Sequence, residues 1–200
     1  MKIAIIDYGA GNCTNVKNAI EKIDASMAVS ISASERDWKN ADALVLPGVG
    51  AFGAAMRKLG EKKQNIVDEI GNGKPFLGIC LGMQLLFDKS GESKNTRGFG
   101  IIKGKVKKFS RALPVPQMGW NLLEGLRSEL FDDLFDGPGG FYAYFVHSYY
   151  CEPEDRDAVA ATTEYGIKFA SAVARKNLFA TQFHPEKSGE YGLRVLKNFI

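Results

Sequence analysis

Apolar positions in the first half of the chain fall by turns into short continuous runs and one-sided helical stripes. Lys2–Ile6 reads as a buried strand that stops at Asp7 and the turn Gly9-Ala10-Gly11-Asn12. A helix is predicted over about residues 14–23, with Val16, Ala19, Ile20 and Ile23 on one face. Met27–Ile31 and Ala43–Leu46 are predicted strands, the second ended by Pro47-Gly48. Ala51–Leu59 and Glu61–Ile70 are predicted helices, the latter with Ile66, Val67 and Ile70 as its buried stripe. Phe76–Ile79 is a further strand, and Leu81–Phe87 reads as helical. Strands alternating with helices of this length predict βαβ units and a largely parallel sheet. Right-handed crossovers put helices on both of its faces.

The second half changes period. Ile101–Phe109, Phe141–Tyr150, Ala158–Thr163, Ile167–Arg175 and Leu178–Phe183 read as strands joined by short turns, so an antiparallel section is predicted. Residues 190–199 read as a helix with Leu193, Leu196 and Phe199 on one face and Ser188 as its N-cap. Lys103, Lys105 and Lys107 alternate along a strand, the pattern of a solvated sheet face. No repeat, low-complexity tract or linker divides the chain. Residues 1–200 are therefore expected to form a single α/β domain, with a mostly parallel central sheet, helices on both faces and an added antiparallel β section.

Composition changes this picture little but excludes several classes. At 45% hydrophobic and 24% charged residues, the chain is neither disordered nor coiled coil. A domain of 200 residues buries about 70% of its unfolded surface and needs no staples. The net charge of +3 is too small to imply a nucleic-acid or membrane surface. Cys13, Cys80 and Cys151 are too few, and odd in number, for a disulfide framework, which argues for a reducing, cytoplasmic compartment. The apolar start meets Asp7 too soon to be a signal sequence, and no run reaches membrane-spanning length. Two histidines, with neither C-x-x-C nor H-E-x-x-H, leave a metal site without ligands, and no metal or other cofactor is expected.

The sharpest local signal is Gly78-Ile79-Cys80-Leu81-Gly82, which follows a buried strand and opens a helix. That is the setting of a nucleophile elbow, where a tight turn flanked by glycines lifts the central side chain off the sheet edge. A helix N-terminus beneath it favours the thiolate. The five residues alone equally fit a buried structural cysteine between two glycines. A cysteine nucleophile needs a base. In Gln182-Phe183-His184-Pro185-Glu186, proline pushes His184 into an extended conformation, and continued extension would put His184 and Glu186 on one side. A carboxylate there accepts the far imidazole N–H and fixes the tautomer. His147 has no carboxylate within two positions and reads as structural or substrate-lining. Oxyanion donors are expected from the Leu81 N–H and from the glycine-rich turn Pro47-Gly48-Val49-Gly50-Ala51-Phe52-Gly53, which by itself is also an ordinary strand-to-helix loop. Those glycines fit neither phosphate-binding pattern, G-x-G-x-x-G or G-x-x-x-x-G-K-[ST].

Together, the elbow, the later His184-Pro185-Glu186 and the turn Pro47-Gly48-Val49-Gly50 resemble the class I, triad-type glutamine amidotransferases, in the order Cys, His, Glu and across nearly the whole chain. Six stretches are similar to the branch of that family that serves histidine biosynthesis. They are Asp7–Asn12, Pro47–Phe52, Gly78–Leu86, Met118–Asn121, Phe145–Tyr149 and Phe183–Ser188. The resemblance implies that Cys80 attacks the side-chain amide of glutamine, that His184 moves the proton and that Glu186 orients His184. The resulting thioester is then hydrolysed to glutamate. Backbone N–H groups of Val49, Gly50 and Leu81 would hold the oxyanion. Gln84 and Glu92, with the backbone around Ser148 and Tyr149, would hold the amino-acid end of the substrate. The ammonia would pass to a (β/α)8-barrel cyclase in a heterodimer, which makes imidazole glycerol phosphate and aminoimidazole carboxamide ribotide.

The resemblance also sets Asn12, Trp120, Tyr144 and Lys187 at partner-facing positions. On physical grounds Trp120 fits either an aromatic anchor or a core residue. The family commonly has Leu-Arg-Ser where this chain has Cys13-Thr14-Asn15, which removes a basic residue from any partner contact there. Cys13 and Cys151, the latter expected at a strand end, read as incidental. Two alternatives remain at this level: a glutaminase serving pyridoxal, anthranilate or guanylate synthesis, or a catalytically silent α/β binding module that keeps the elbow.

Overall fold

The computed structural model describes residues 1–110, 112–134 and 140–200. Its first part runs β1 (Lys2–Ile6), α1 (Cys13–Ile23), β2 (Ala28–Ser32), α2 (Glu35–Asn40), β3 (Ala43–Gly48), α3 (Phe52–Leu59), α4 (Lys62–Gly71), β4 (Phe76–Cys80) and α5 (Leu81–Leu85). The second part runs β5 (Phe87–Ser90), β6 (Ser93–Arg97), β7 (Ile102–Lys108), β8 (Gln117–Leu122), β9 (Tyr142–His147), β10 (Tyr149–Pro153), β11 (Val159–Glu164), β12 (Lys168–Arg175), β13 (Leu178–Thr181) and α6 (Gly189–Phe199). Eleven strands form one sheet in the order β2-β1-β3-β4-β13-β12-β10-β7-β5-β6, with β11 also paired to β12. From β2 to β13 every pairing is parallel. Beyond β13 the pairings are antiparallel except β5 with β7. β8 and β9 make a separate antiparallel ribbon.

Alternation along the parallel strands divides the core between the two faces of the sheet. Ile3 and Ile5 of β1 join Val16 and Ile20 of α1 and Val195, Leu196 and Phe199 of α6 on one face. Ala4 and Ile6 join Trp38 of α2, Phe52 and Leu59 of α3, and Ile66 and Ile70 of α4 on the other. With both faces covered, such strands are apolar throughout, which is why they read as continuous runs.

Several elements depart from the sequence reading. Helix α2 was not expected; it buries Trp38 alone, so it carries no apolar stripe. The helix predicted over Leu81–Phe87 stops at Leu85, and Phe87 instead starts β5, followed by β6. β8 was also missed. The strand predicted over Phe141–Tyr150 is two strands: β9 belongs to the ribbon and β10 to the main sheet, parted at Ser148. The lysine alternation on β7 behaves as expected: Lys105 and Lys107 face solvent and pair with Glu152 at 3.4 and 2.7 Å. Cys151 does not end a strand but lies fully buried within β10, opposite Val106 and Ala170.

Candidate active site

β3 and β4 run parallel with Gly48 in register with Cys80, so the glycine-rich turn and the elbow leave the sheet side by side. Cys80 has φ +54° and ψ −104°, a left-handed conformation that L residues seldom adopt. Such strain is held only where the surroundings enforce it. Here they do. A Cβ on Gly82 would overlap the Leu46 carbonyl oxygen, and one on Gly78 would come within 2.9 Å of the Gly82 backbone. The elbow thus closes against β3 with no room for side chains on either flank. The helix that follows has only five residues, so its dipole contributes less to a thiolate than the sequence reading assumed.

His184 and Glu186 meet, but not by strand alternation. His184 itself is extended (φ −98°, ψ 98°), while Pro185–Lys187 forms a single 3-10 turn that brings the Glu186 carboxylate back under the ring. His184 Nδ1 donates to Glu186 Oε1 at 2.8 Å, with both side chains almost fully buried. Burial opposes charge on the imidazole, but the interactions with Cys80 and Glu186 outweigh it and raise the His184 pKa to about 10. Nε2 points away from the carboxylate and, among the described residues, makes no hydrogen bond. The His184 backbone is pinned to β9, its N–H donating to the Tyr144 carbonyl at 3.0 Å. Ser188 reinforces that pin: Oγ accepts from Tyr144 N at 3.0 Å and donates to His184 O at 2.7 Å. Ser188 does stand at the N-cap of α6, yet its side chain does not cap the helix.

A cleft of about 270 Å³ opens over the elbow, lined by Val49, Gly50, Cys80, Leu81, Gln84, Glu92, Pro116, Val146, His147, Ser148 and Tyr149. All expected oxyanion and substrate-holding residues therefore share one wall-to-wall space with the cysteine. Ser148 and Tyr149 reach it because the chain crosses there from ribbon to main sheet. Glu92 is tied down by the N–H of Phe52, the first residue of α3, at 2.7 Å. His147 is buried beside the cleft, with Nδ1 donating to the Tyr149 carbonyl at 2.7 Å. Burial, aided by the nearby charge of His184, lowers its pKa to about 4 despite that hydrogen bond, so it is neutral near pH 7.

Sequence reasoning missed Gln182. It is fully buried, and its Nε2 lies 3.6 Å from Cys80 Sγ while its Oε1 accepts from Gln84 Nε2 at 3.1 Å. The available signal was a polar amide two residues before the histidine, just past an apolar strand. Among the described residues no group of three or more His, Cys, Asp or Glu side chains is placed to hold a metal ion, and all three cysteines are free. No helix among them is long and apolar enough to cross a membrane.

Of the positions expected to face a partner, Trp120 and Tyr144 lie on the ribbon, while Asn12 and Lys187 lie off it. Met118, Trp120 and Leu122 point outward from β8, and Trp120 stands in register with Tyr144 of β9, the rings 6.2 Å apart. Trp120 is 53% exposed, Met118 65% and Tyr142 60%, so the core reading of Trp120 is excluded. Lys187 Nζ lies 5.8 Å from the centroid of the Tyr144 ring. Asn12 is the N-cap of α1, a helix packed against the Pro185–Lys187 turn.

Residues 4–200 match the family model described as glutamine amidotransferase class-I. The "Imidazole glycerol phosphate synthase subunit HisH" of Methanothermobacter thermautotrophicus is 48% identical over 99% of this chain and 97% of its own length. The protein of the same name from Pyrococcus furiosus is 47% identical, with 99% and 97% covered. Among solved structures, a chain of PurLQS from Thermotoga maritima superposes with a TM-score of 0.77 at 19% identity, covering 99% of this chain and 96% of that one.

Proposed function

This chain belongs to the class I glutamine amidotransferase family, and from that membership we propose how it works as the glutaminase subunit of an imidazole glycerol phosphate synthase in histidine biosynthesis. The observation that carries the mechanism is the meeting of Cys80 with a histidine–carboxylate pair about a hundred positions later in the chain. The strained Cys80 stands at the elbow, His184 interacts with it electrostatically, and Glu186 holds His184 Nδ1 at 2.8 Å.

With its pKa raised to about 10, His184 is charged near neutral pH, a proton on each ring nitrogen, and the nucleophile is the Cys80 thiolate. Cys80 Sγ attacks the glutamine side-chain carbonyl, and negative charge moves to its oxygen. Val49, Gly50 and Leu81 line the same cleft, and their backbone N–H groups are the donors for that charge; one such donor is worth about 10²–10³ in rate. His184 then delivers its proton to the amide nitrogen, the C–N bond breaks, and ammonia leaves a thioester on Cys80. His184, now neutral, takes a proton from water as the water oxygen attacks the thioester. Glutamate departs, and the thiolate–imidazolium pair is restored. Throughout, Glu186 accepts the Nδ1–H, fixing the tautomer and balancing the charge. Gln84, Glu92, Ser148 and Tyr149 hold the amino-acid end of the substrate.

The ammonia is used by a (β/α)8-barrel cyclase. The outward ribbon face of Met118, Trp120, Leu122, Tyr142 and Tyr144, with Lys187 beside it, supports a docking surface for that subunit. Large exposed aromatics grouped on one face are unusual for a surface meant only for solvent. Three unpaired cysteines support a cytoplasmic setting. Replacing Cys80 with Ala tests the assignment. Glutamine-dependent synthesis by the complex should vanish while free ammonium still sustains the cyclase; continued use of glutamine by this variant would remove Cys80 from the reaction.

A further inference from the structure

The Cys80 sulfur has a second neighbour besides the imidazole. Gln182 stands just past β13, its backbone N–H anchored to the Ser171 carbonyl of β12 at 2.8 Å and its side chain fully buried. Its two amide ends are committed differently. Oε1 accepts from Gln84 Nε2 at 3.1 Å, and Gln84 Nε2 also donates to the Tyr149 carbonyl at 3.0 Å. Because an amide NH2, its lone pair delocalised into the carbonyl, cannot accept from Gln84, this network fixes the amide so that Nε2 faces Cys80 Sγ, 3.6 Å away. A buried donor needs an acceptor, and a thiolate accepts far better than a thiol.

We propose that Gln182 is a positioning residue of the glutaminase reaction: its amide orients and stabilises the Cys80 sulfur as an anion and links it, through Gln84, to the Tyr149 carbonyl at the cleft wall. The proposal rests on the amide-hydrolysis reading given above. Gln182 transfers no proton. It donates to Sγ while the sulfur is charged, loses strength when the S–C bond of the thioester forms, and regains it when water expels the sulfur. Its contribution therefore falls on the chemical step and on release of glutamate, not on capture of glutamine. Gln84, by contrast, touches both the cleft and the Gln182 amide, so the substrate-holding wall and the nucleophile share one chain of hydrogen bonds.

Two variants test this in the complex with the cyclase at a single pH. Gln182→Glu keeps an oxygen for Gln84 but turns a second oxygen toward the sulfur; Gln182→Met keeps the volume and removes both polar ends. Both should lower kcat for glutamine by about 10–100-fold, the range expected for a lost hydrogen bond to a charged group, with KM for glutamine changing less than threefold. Alkylation of Cys80 by iodoacetamide should slow in parallel, while ammonium-dependent synthesis stays at the wild-type rate. If Gln182→Met melts like wild type yet keeps kcat and the alkylation rate within twofold, the proposal is overturned. It is equally overturned if KM rises while kcat and alkylation hold, which would make Gln182 a glutamine-binding residue. Misfolding of the Glu variant leaves the Met variant to decide. Failure of the underlying reading looks different: Cys80→Ala would then still consume glutamine.

Discussion

His184 and His147 sit on adjoining segments of one site, each buried and each donating from Nδ1 to an acceptor two residues further along its own chain. For His184 that acceptor is the Glu186 carboxylate; for His147 it is the Tyr149 backbone carbonyl. The first supplies a full negative charge that, with Cys80, overcomes burial and holds the ring protonated. The second supplies only a dipole, and burial wins. What distinguishes the two rings is the charge each one meets: Cys80 and the Glu186 carboxylate for His184, a backbone dipole for His147. The neutral ring packs among Phe109, Phe145 and Phe169, an apolar setting in which an imidazolium would be costly.

The largest expected effect separates the two rings directly. In glutamine-dependent ammonia release by the complex, His184→Asn should lose about 10⁴–10⁶-fold in kcat, as removal of a base in a triad does. His147→Asn should stay within about tenfold of wild type, since it moves no proton in the reaction. Comparable losses would break the contrast. Glu186→Gln comes next. It leaves a hydrogen-bond acceptor for Nδ1 but no charge, and should cost about 10²–10⁴-fold in kcat with KM for glutamine nearly unchanged. Wild-type turnover in that variant would show that the carboxylate does not govern His184.

The smallest effect concerns stability against pH, with opposite signs for the two rings. The folded pKa of His147 is depressed to about 4 from 6.5, so below pH 6.5 the unfolded chain binds a proton that the native protein refuses. Stability falls as pH drops through that window. The urea midpoint of His147→Gln should therefore fall less between pH 7 and pH 5 than that of wild type. His184, raised to about 10, stabilises the fold fully below pH 6.5, and this is lost as pH rises toward 10. His184→Gln should accordingly lose less midpoint than wild type between pH 7 and pH 9.5. Parallel curves for wild type and variants would sink both assignments.

The parallel half of the sheet was readable because both of its faces are covered, which forces continuous apolar runs in β1, β3 and β4 and one-sided stripes in the helices beside them. The antiparallel half obeys weaker rules. β8 shows Met118 and Trp120 to the outside, so its large apolar residues mark a surface and do not signal a buried strand. Leu85, Leu86 and Phe87 form one apolar run, yet they are divided between the end of a helix and the start of a strand. At the site, the Gly78–Gly82 elbow and the His184-Pro185-Glu186 stretch were legible because each is local in sequence. Gln182 was not, since its meaning lies in contacts with Cys80 and Gln84 about a hundred positions away.

The crowding around Gly78 and Gly82 makes these two residues indispensable to the closure of α5 on β3, whatever occupies the position between them. Residue 80 is under a different demand: its side chain, buried at the edge of the cleft, meets the Gln182 amide and not a backbone wall. Selection for a well-folded molecule would thus preserve the glycine pair in descendants that had abandoned catalysis. In a collection of related chains, the pattern Gly-x-x-x-Gly would trace ancestry, while the letter at its centre, read together with the acidic residue two places after the distant histidine, would sort working enzymes from inert copies.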